Sequence, residues 1–257
     1  TINGLSAKVI EACGRQRGPA FELLENAGEL ASLVGRIYQE LNGEYPTDST
    51  IREVRTAITY CKNMMLSTDE IAAQDFSLPH FAELHARDCA ALREGRQMDY
   101  DDQMAYALAF LRKRPEILEE FREHYPYLCV DESQDTSRVQ HAIIELLAQK
   151  TGNLFMVGDE DQSIYGFRAA YPDALLAFEK TYPGAKVLLM EDNYRSTPEI
   201  LRLAGMFIEG NRERYSKTIR ATRAKGRRVH LAHAASRQAQ YRYLLALAGE
   251  QGAPFSV

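Results

Sequence analysis

The chain has 257 residues, of which 45% are hydrophobic and 26% charged, and its formal net charge is −5. This composition is typical of a globular protein with one large or two small domains, and it excludes a disordered chain or a disulfide-stapled miniprotein. The acidic balance argues against a free-standing basic nucleic-acid module, because clustered Lys and Arg drive phosphate contact.

Nothing in the sequence indicates a membrane or an oxidising compartment. The apolar runs, such as Leu244 to Ala248, are far shorter than the roughly 20 residues that cross a bilayer. The N-terminal residues lack the pattern of an export signal. The cysteines lie far apart without a C-x-x-C pair, which favours reduced thiols. His230 and His233 have no partners at metal-ligand spacing. We therefore predict a cytoplasmic protein.

The first part of the chain, from about residue 5 to 95, has the apolar spacing of helices. Leu23, Leu30 and Ile37 belong to a series of apolar residues three or four positions apart. A loop at Pro46 to Thr50 precedes another apolar helix face, and Ser49 or Thr50 is the predicted N-cap. These patterns predict an all-helical module.

After about residue 99, short apolar runs alternate with helical patterns. The runs predict buried strands at Tyr127 to Val130, Leu154 to Val157 and Val187 to Met190. Helical spacing lies between them, at Ser137 to Lys150 and around Ala174 to Lys180. Because strands that alternate with helices pair in parallel, the sequence predicts an α/β fold with a parallel sheet.

Acidic or polar residues follow each predicted strand. They include the pair Asp131 and Glu132, and the run Gly158 to Asp161. In open parallel sheets ligands bind beyond the carboxyl ends of the strands, so the chemistry should gather there. One carboxylate near a metal and a second that orients water suit a Mg-nucleotide hydrolase. An Asp-Glu pair alone is weak evidence for this chemistry.

Three longer stretches carry a family resemblance. Leu128 to Thr136, Val157 to Arg168 and Asp192 to Thr197 resemble motifs II, III and IV of the UvrD/Rep-type superfamily 1 ATP-dependent DNA helicases, in the same order and at similar separations. The resemblance implies an incomplete RecA-like parallel sheet of the P-loop NTPase type with an inserted all-helical module.

The same resemblance implies a division of the chain into three parts. Residues 1–96 resemble the helical module, domain 1B, starting at motif Ib. Residues 97–190 correspond to the second half of the first RecA-like domain, 1A, with motifs II and III. Residues 191–257 correspond to the opening part of the second RecA-like domain, 2A, with motif IV.

The resemblance also implies roles in nucleotide chemistry, with ATP and Mg²⁺ as cofactors. Asp131 would hold Mg²⁺ and Glu132 would activate the attacking water. Gln162 would sense the γ-phosphate. Arg195 resembles the family's arginine finger, and Tyr194 resembles the residue that stacks on the nucleotide base.

The sequence also predicts the backbone conformation at two places in these motifs, the start of a helix after Arg195 and the turn at Ala169. Ser196 or Thr197 as N-cap, with Pro198 in the first turn, predicts a helix that fixes Arg195 on a rigid element. Ala169 stands where the family usually has Gly, which predicts a tighter backbone there.

DNA contacts are implied at both ends of the family motifs. Tyr165 and Phe167 take positions that face single-stranded DNA, where stacking is insensitive to sequence, and the family commonly has Trp at the second. Arg168 could bridge the DNA and ATP sites. Thr1 and Asn3 stand in motif Ib, where the family usually has His in place of Asn3. A basic stretch from residue 212 to 228 is either a solvated face or a further nucleic-acid contact.

The sequence contains no G-x-x-x-x-G-K followed by Ser or Thr, so the loop that cradles phosphates is missing. We therefore expect the chain to be part of a longer protein and to hydrolyse ATP poorly alone. The first residue is not Met, and Pro254 to Val257 predict the start of a strand. The parent would couple ATP turnover to translocation on single-stranded DNA and to unwinding of duplex DNA, with repair or replication proteins as possible partners.

Two other functions remain open at this point. One is a non-catalytic, DNA-binding paralogue that has lost ATP binding. The other is a metal-dependent nuclease whose two-metal site would use Asp131, Glu132, Asp159 and Asp161.

Overall fold

The computed structural model describes residues 1–17, 21–164, 166 and 169–251. The described residues form two compact units, one within 1–187 together with 213–215, and one within 188–212 together with 216–251. The architecture is mostly helical, with short parallel sheets. None of the described helices combines the length and the apolar character that a membrane crossing requires.

The first unit is an α/β arrangement dominated by helices. Its helices are α1 (Ile2–Arg17), α2 (Ala27–Asn42), α3 (Asp48–Asn63), α4 (Thr68–Ala73), α5 (Phe81–Glu94), α6 (Tyr100–Lys113), α7 (Pro115–His124), α8 (Arg138–Ala148), α9 (Asp173–Leu176) and α10 (Phe178–Thr181). Its strands are β1 (Glu22–Leu23), β2 (Gln97–Met98), β3 (Leu128–Val130) and β4 (Leu154–Met156). Strand β1 pairs in parallel with β2, and β3 pairs in parallel with β4.

The second unit contains short elements around one parallel pairing. Its elements are β5 (Asp192–Asn193), α11 (Pro198–Ile208), β6 (Arg220–Ala221) and α12 (Arg237–Gln251). Strand β5 pairs with β6, with Asp192 opposite Arg220. Thr197 is the N-cap of α11 and Pro198 its first residue, which confirms the predicted helix start, although the Thr197 side chain makes no capping hydrogen bond.

The helices of the first unit gather around two separate cores. The first core draws its buried side chains from α1, α6, α7 and α8, including Val9, Leu111, Ile117 and Ile143. The second core is built from α2, α3, α4 and α5, with Leu84 at its centre. The two cores follow from the amphipathic spacing of these helices, because each helix buries one apolar stripe against its neighbours.

Two of the predicted strands are confirmed and one prediction is wrong. Strands β3 and β4 lie within one residue of the predicted runs, and α8 confirms the helix between them. The run Val187 to Met190 forms no strand, and Met190 is 86% exposed. A strand needs a neighbour for its N–H and C=O groups. In this part of the described chain, strand pairing begins only at Asp192, two residues after the predicted run. The strand start predicted at Pro254 to Val257 lies outside the described residues.

The predicted boundaries of two helical segments also need correction. Helix α3 is capped by Thr47, whose Oγ1 accepts a hydrogen bond from Thr50 N at 3.2 Å, so Ser49 and Thr50 lie within the helix. Thr47 has the extended backbone that an N-cap requires. The helix predicted around Ala174 to Lys180 is divided at Ala177 into α9 and α10.

Truncation of a central side chain tests the second core. Leu84 is fully buried, so Leu84→Ala should lower the free energy of unfolding by about 2–5 kcal/mol, since both transfer energy and packing are lost. Urea unfolding followed by circular dichroism measures the change. Leu188→Ala is the control because Leu188 is 81% exposed, and it should stay within about 0.5 kcal/mol of the original chain. Equal losses in both variants would contradict the packing described above.

Candidate functional site

The loops that follow β3 and β4 lie side by side. Strand pairing sets Val130 opposite Met156, and Val157 N donates to Val130 O at 2.8 Å. Ser133 then turns back, so that both its N–H and its Oγ hydroxyl donate to Val157 O, each at 2.9 Å. The parallel pairing therefore brings the two predicted motifs together at the carboxyl edge of this sheet.

The loop after β3 presents two exposed carboxylates. Asp131 and Glu132 are both exposed, and Asp131 Oδ1 accepts a hydrogen bond from Glu132 N at 3.0 Å. Glu132 has a φ of +49°, a left-handed conformation that costs a non-glycine residue on the order of 1–3 kcal/mol. Strain of this kind persists where the surrounding structure enforces it, here the turn into the 3-10 helix Ser133–Asp135.

A chain of hydrogen bonds joins the two loops through Gln134, which is buried. Gln134 Nε2 donates to Glu132 Oε2 at 2.7 Å, and Gln134 Oε1 accepts from Asp159 N at 3.0 Å. Asp159 Oδ2 in turn accepts from Gln162 Nε2 at 2.7 Å. Glu132 and Gln162, to which the resemblance assigns separate roles in nucleotide chemistry, are therefore connected through two intervening residues.

Gly158 allows the two loops to approach this closely. A Cβ atom at this position would lie 2.5 Å from Ser133 Oγ, 2.8 Å from Gln134 Oε1 and 2.9 Å from Leu175 Cδ1. A Cβ carbon does not approach non-bonded atoms so closely without displacing them, so only glycine fits the observed backbone. The polar contacts between the loops depend on this missing side chain.

The loop after β4 is held from outside by a short segment within the same unit. Arg214 binds Asp161 through two hydrogen bonds, Nε to Oδ1 at 2.8 Å and an Nη2 contact to Oδ2 at 2.6 Å. Tyr215 N donates to Glu160 Oε1 at 2.9 Å, and Tyr215 Oη donates to Leu175 O at 2.8 Å. Bidentate Arg–carboxylate pairs fix orientation as well as distance.

Thr136 and His141 form a hydrogen-bonded pair behind the first loop. Thr136 Oγ1 donates to Ser133 O at 2.6 Å and lies 2.5 Å from His141 Nε2. Burial lowers the pKa of His141 to about 4, so the imidazole is neutral at neutral pH. The site is therefore backed by an uncharged hydrogen-bonded layer.

Sequence reasoning did not assign roles to Gln134, Arg214 or Tyr215. Gln134 lies inside the motif from Leu128 to Thr136, so its position in the resemblance was an available signal. Arg214 and Tyr215 follow Asp161 by more than fifty residues in the chain, and no local pattern indicates that they contact it.

The carboxylates do not assemble as a nuclease site would require. In the described part of the chain, the acids whose ligand atoms lie within 4.8 Å of one another as a group of three or more are Asp159, Glu160 and Asp161. Asp131 and Glu132 are not among them, and Asp161 is bound to Arg214. This arrangement does not favour the two-metal alternative.

Tyr194 and Arg195 belong to the second unit, just before α11. Asn193 Oδ1 accepts hydrogen bonds from Arg195 N at 3.0 Å and from Ser196 N at 2.8 Å, which fixes the turn into the helix. Arg223 Nη1 donates to Arg195 O at 2.9 Å. Both predicted side chains are exposed, Tyr194 at 76%.

The predicted DNA-contacting residues are described only in part. Thr1 Oγ1 accepts a hydrogen bond from Gly4 N at 3.2 Å at the start of α1. Asn3 is half-buried, and its Oδ1 is buried without a hydrogen-bond partner among the described residues. Tyr165, Phe167 and Arg168 lie outside the described residues. Ala169 has a φ of +64°, the left-handed backbone that glycine adopts more readily.

A strand-end acid pair is thus linked by hydrogen bonds to a polar second loop, and comparison with known proteins assigns the chain to a family. The model of the UvrD/REP helicase N-terminal domain matches residues 1–183. The chain belongs to the UvrD/REP helicase family.

Several bacterial relatives are similar over much of the chain. The ATP-dependent DNA helicase PcrA of Leuconostoc citreum is 34% identical over 236 residues, which cover 89% of this chain and 31% of the relative. PcrA of Bacillus subtilis (strain 168) is 35% identical over 201 residues, covering 77% and 27% of the two chains. PcrA of Staphylococcus aureus (strain COL) is 37% identical over 158 residues, covering 62% and 22%. The chain thus spans less than a third of the length of these relatives.

A side chain at position 158 should separate the two loops. Gly158→Ala should lower the free energy of unfolding by about 1–3 kcal/mol, because its Cβ would displace Ser133 and Gln134. Gly14→Ala is the control: a Cβ there meets nothing within 4 Å, and alanine in a helix should raise stability by about 0.5–1 kcal/mol. Thermal unfolding of both variants compares the two effects, and stabilisation by Gly158→Ala would contradict the close approach.

Proposed function

We propose that this chain is part of an ATP-dependent DNA helicase that couples ATP hydrolysis to translocation on single-stranded DNA and to duplex unwinding. The observation that carries the proposal is the hydrogen-bonded connection from Glu132 through Gln134 and Asp159 to Gln162. It links the predicted catalytic acid to the predicted phosphate sensor. Membership of the UvrD/REP family supports the same function.

The domain assignment follows the family order. We propose that residues 1–96 contain the helical domain 1B, residues 97–190 the second half of a RecA-like domain 1A, and residues 191–257 the opening of domain 2A. The second core, built by α2 to α5, is the structural counterpart of the helical module. Helix α1 shares the first core with α6, α7 and α8, which favours assigning it to domain 1A.

The strand-end acids divide the nucleotide chemistry between them. Asp131 would hold Mg²⁺, since its carboxylate is exposed and offers the oxygen ligands that this ion prefers. The metal would supply charge compensation to the phosphates. Glu132 would orient the attacking water and accept its proton at a carboxylate oxygen. Gln134 restrains the Glu132 carboxylate by donating a hydrogen bond to its Oε2.

Gln162 suits a relay between nucleotide and protein, because its amide both donates and accepts. It is restrained by Asp159, so a change in its contacts would be transmitted to the loop after β3. We propose that Arg195 stabilises the charge of the transferring phosphoryl group and that Tyr194 stacks on the base. The exposure of both side chains is compatible with these roles.

DNA is the proposed macromolecular ligand. Tyr165 and Phe167 would stack on bases of single-stranded DNA, and Arg168 would connect this contact with the nucleotide site. Thr1 and Asn3 would contribute further contacts. A cytoplasmic location and repair or replication proteins as partners complete the proposal.

An ATPase assay tests the proposal for this chain. Without a phosphate-binding loop, Mg-ATP turnover with or without single-stranded DNA should not exceed that of Glu132→Gln. DNA-stimulated turnover that disappears in Glu132→Gln would contradict this expectation and would mean that another segment holds the phosphates. A parent protein that carries no phosphate-binding loop would favour the alternative of a non-catalytic, DNA-binding paralogue.

Within a helicase that carries the chain together with a phosphate-binding loop, two substitutions should slow ATP turnover. Glu132→Gln should reduce kcat by about 10²- to 10⁴-fold, because the general base is lost. Arg195→Ala should reduce it by about 10³-fold or more, because the transition-state charge loses its partner. Glu120→Gln is the matched control for Glu132→Gln, since Glu120 is exposed on α7. DNA-stimulated steady-state hydrolysis measures all three, and an unchanged kcat in Glu132→Gln would exclude the assigned role.

A further inference from the structure

The chain connects its two cores through a narrow pair of strands. It leaves α1 in the first core, passes through β1 into α2–α5, and returns through β2 to α6. Strands β1 and β2 have two residues each and pair with one another. Because this pairing is short, the position of α2–α5 depends on side-chain contacts between helices.

The main polar contact is made by Lys62, near the end of α3. Its Nζ lies 2.8 Å from Asp99 Oδ2 and 2.9 Å from Asp102 Oδ1, and its side chain is only 6% exposed. These two aspartates are also the capping box that starts α6, with Asp102 N donating to Asp99 Oδ1 at 2.7 Å and Asp99 N donating to Asp102 Oδ2 at 3.3 Å. Lys62 therefore neutralises the N-terminal cap of α6 from a different core.

The same face of α3 binds a third aspartate of α6. Thr59 Oγ1 donates to Asp101 Oδ2 at 2.8 Å, and Asn63 Nδ2 donates to Asp101 Oδ1 at 2.7 Å. Positions 59, 62 and 63 share one face because they are three and four residues apart. These three side chains on one face of α3 therefore all contact the first turn of α6 or its N-cap.

Asp88 of α5 adds a fourth carboxylate to this cluster. It is only 3% exposed, and its carboxylate lies 4.0 Å from Lys62 Nζ. Its carboxylate accepts no hydrogen bond from the described residues, unlike the carboxylates of Asp99, Asp101 and Asp102. It lines a cavity of about 120 Å³ together with Asp99 and Asp101.

The cluster therefore contains more negative than positive charge. The pKa of Asp88 is raised to about 6, chiefly by burial; Lys62 and Arg55 act to lower it, and Asp99 and Asp102 act to raise it. Asp88 is thus a carboxylate whose charge changes near pH 6. The titratable and charged groups around it come from three helices, and α2 contributes the apolar Leu30 and Val34. These groups are Lys62 and Arg55 from α3, Asp99, Tyr100, Asp101 and Asp102 at the start of α6, and His85 and Cys89 on its own helix.

We propose that Lys62 and the four aspartates form a proton-sensitive latch that holds α2–α5 against the first turn of α6. With Asp88 protonated, one lysine faces three carboxylates that each have hydrogen-bond partners, and the latch is closed. With Asp88 charged, an additional buried negative charge repels Asp99 and Asp102, and local opening becomes easier. This device is independent of ATP chemistry.

The sign follows from the direction of the shift. Because the pKa of Asp88 is raised in the folded state, its stabilising effect is present at low pH and is lost as the pH rises from the unfolded value of 3.8 through about 6. If opening restores the ordinary pKa, these two values correspond to a roughly tenfold increase in the local opening equilibrium between about pH 5.0 and 7.5.

Hydrogen–deuterium exchange of the first turn of α6 measures this opening, after correction for the intrinsic pH dependence of exchange. In the unsubstituted chain, the first turn of α6 should lose protection roughly tenfold between about pH 5.0 and 7.5. Asp88→Asn should remove most of this dependence and stay protected at both values. Asp69→Asn, a change at an exposed aspartate of α4, should retain the original dependence.

Lys62→Met provides a second readout, since it leaves the carboxylates without their cation. It should increase exchange in the first turn of α6 at both pH values while α8 keeps its protection. An Asp88→Asn variant with the same pH dependence as the original chain would overturn the proposal. Protection of α6 that is unchanged in Lys62→Met would overturn it as well.

Discussion

The parallel pairing of β3 with β4 is the constraint on which the candidate site depends. Three residues on each strand fix the register, and Val157 O then accepts both hydrogen bonds of Ser133. Residues more than twenty positions apart in the chain are thereby held within hydrogen-bonding distance. Gly158 completes this arrangement by leaving space where any side chain would push the loops apart.

Much of the site was predictable because the relevant information is local in sequence. An apolar run that ends in Asp131 and Glu132 predicts both a strand and an acidic edge, and β3 has this form. The run Val187 to Met190 is also apolar and is also followed by acidic residues, but it forms no strand, because strand formation also requires a partner that composition cannot reveal. The contact of Arg214 with Asp161 was unpredictable for a related reason, since it joins segments that are distant in the chain.

The first unit uses buried charge in two different ways. Around Asp161, one arginine satisfies one carboxylate through paired hydrogen bonds, and the result is a fixed geometry. Around Lys62, one ammonium group is shared among several acids, and the balance depends on protonation. A guanidinium with its planar set of donors suits the first arrangement, whereas a compact ammonium can be shared in the second.

The identity of Gln134 is determined by the direction of its two hydrogen bonds. The Nε2 of its amide must donate a hydrogen bond to a carboxylate, and the Oε1 must accept one from a backbone N–H. A glutamate would place like charges side by side, and a leucine would leave both neighbours without partners. An asparagine has the same amide group, but its side chain is one methylene shorter than that of glutamine. The residue at position 134 therefore determines whether the acid pair after β3 is hydrogen-bonded to the loop after β4.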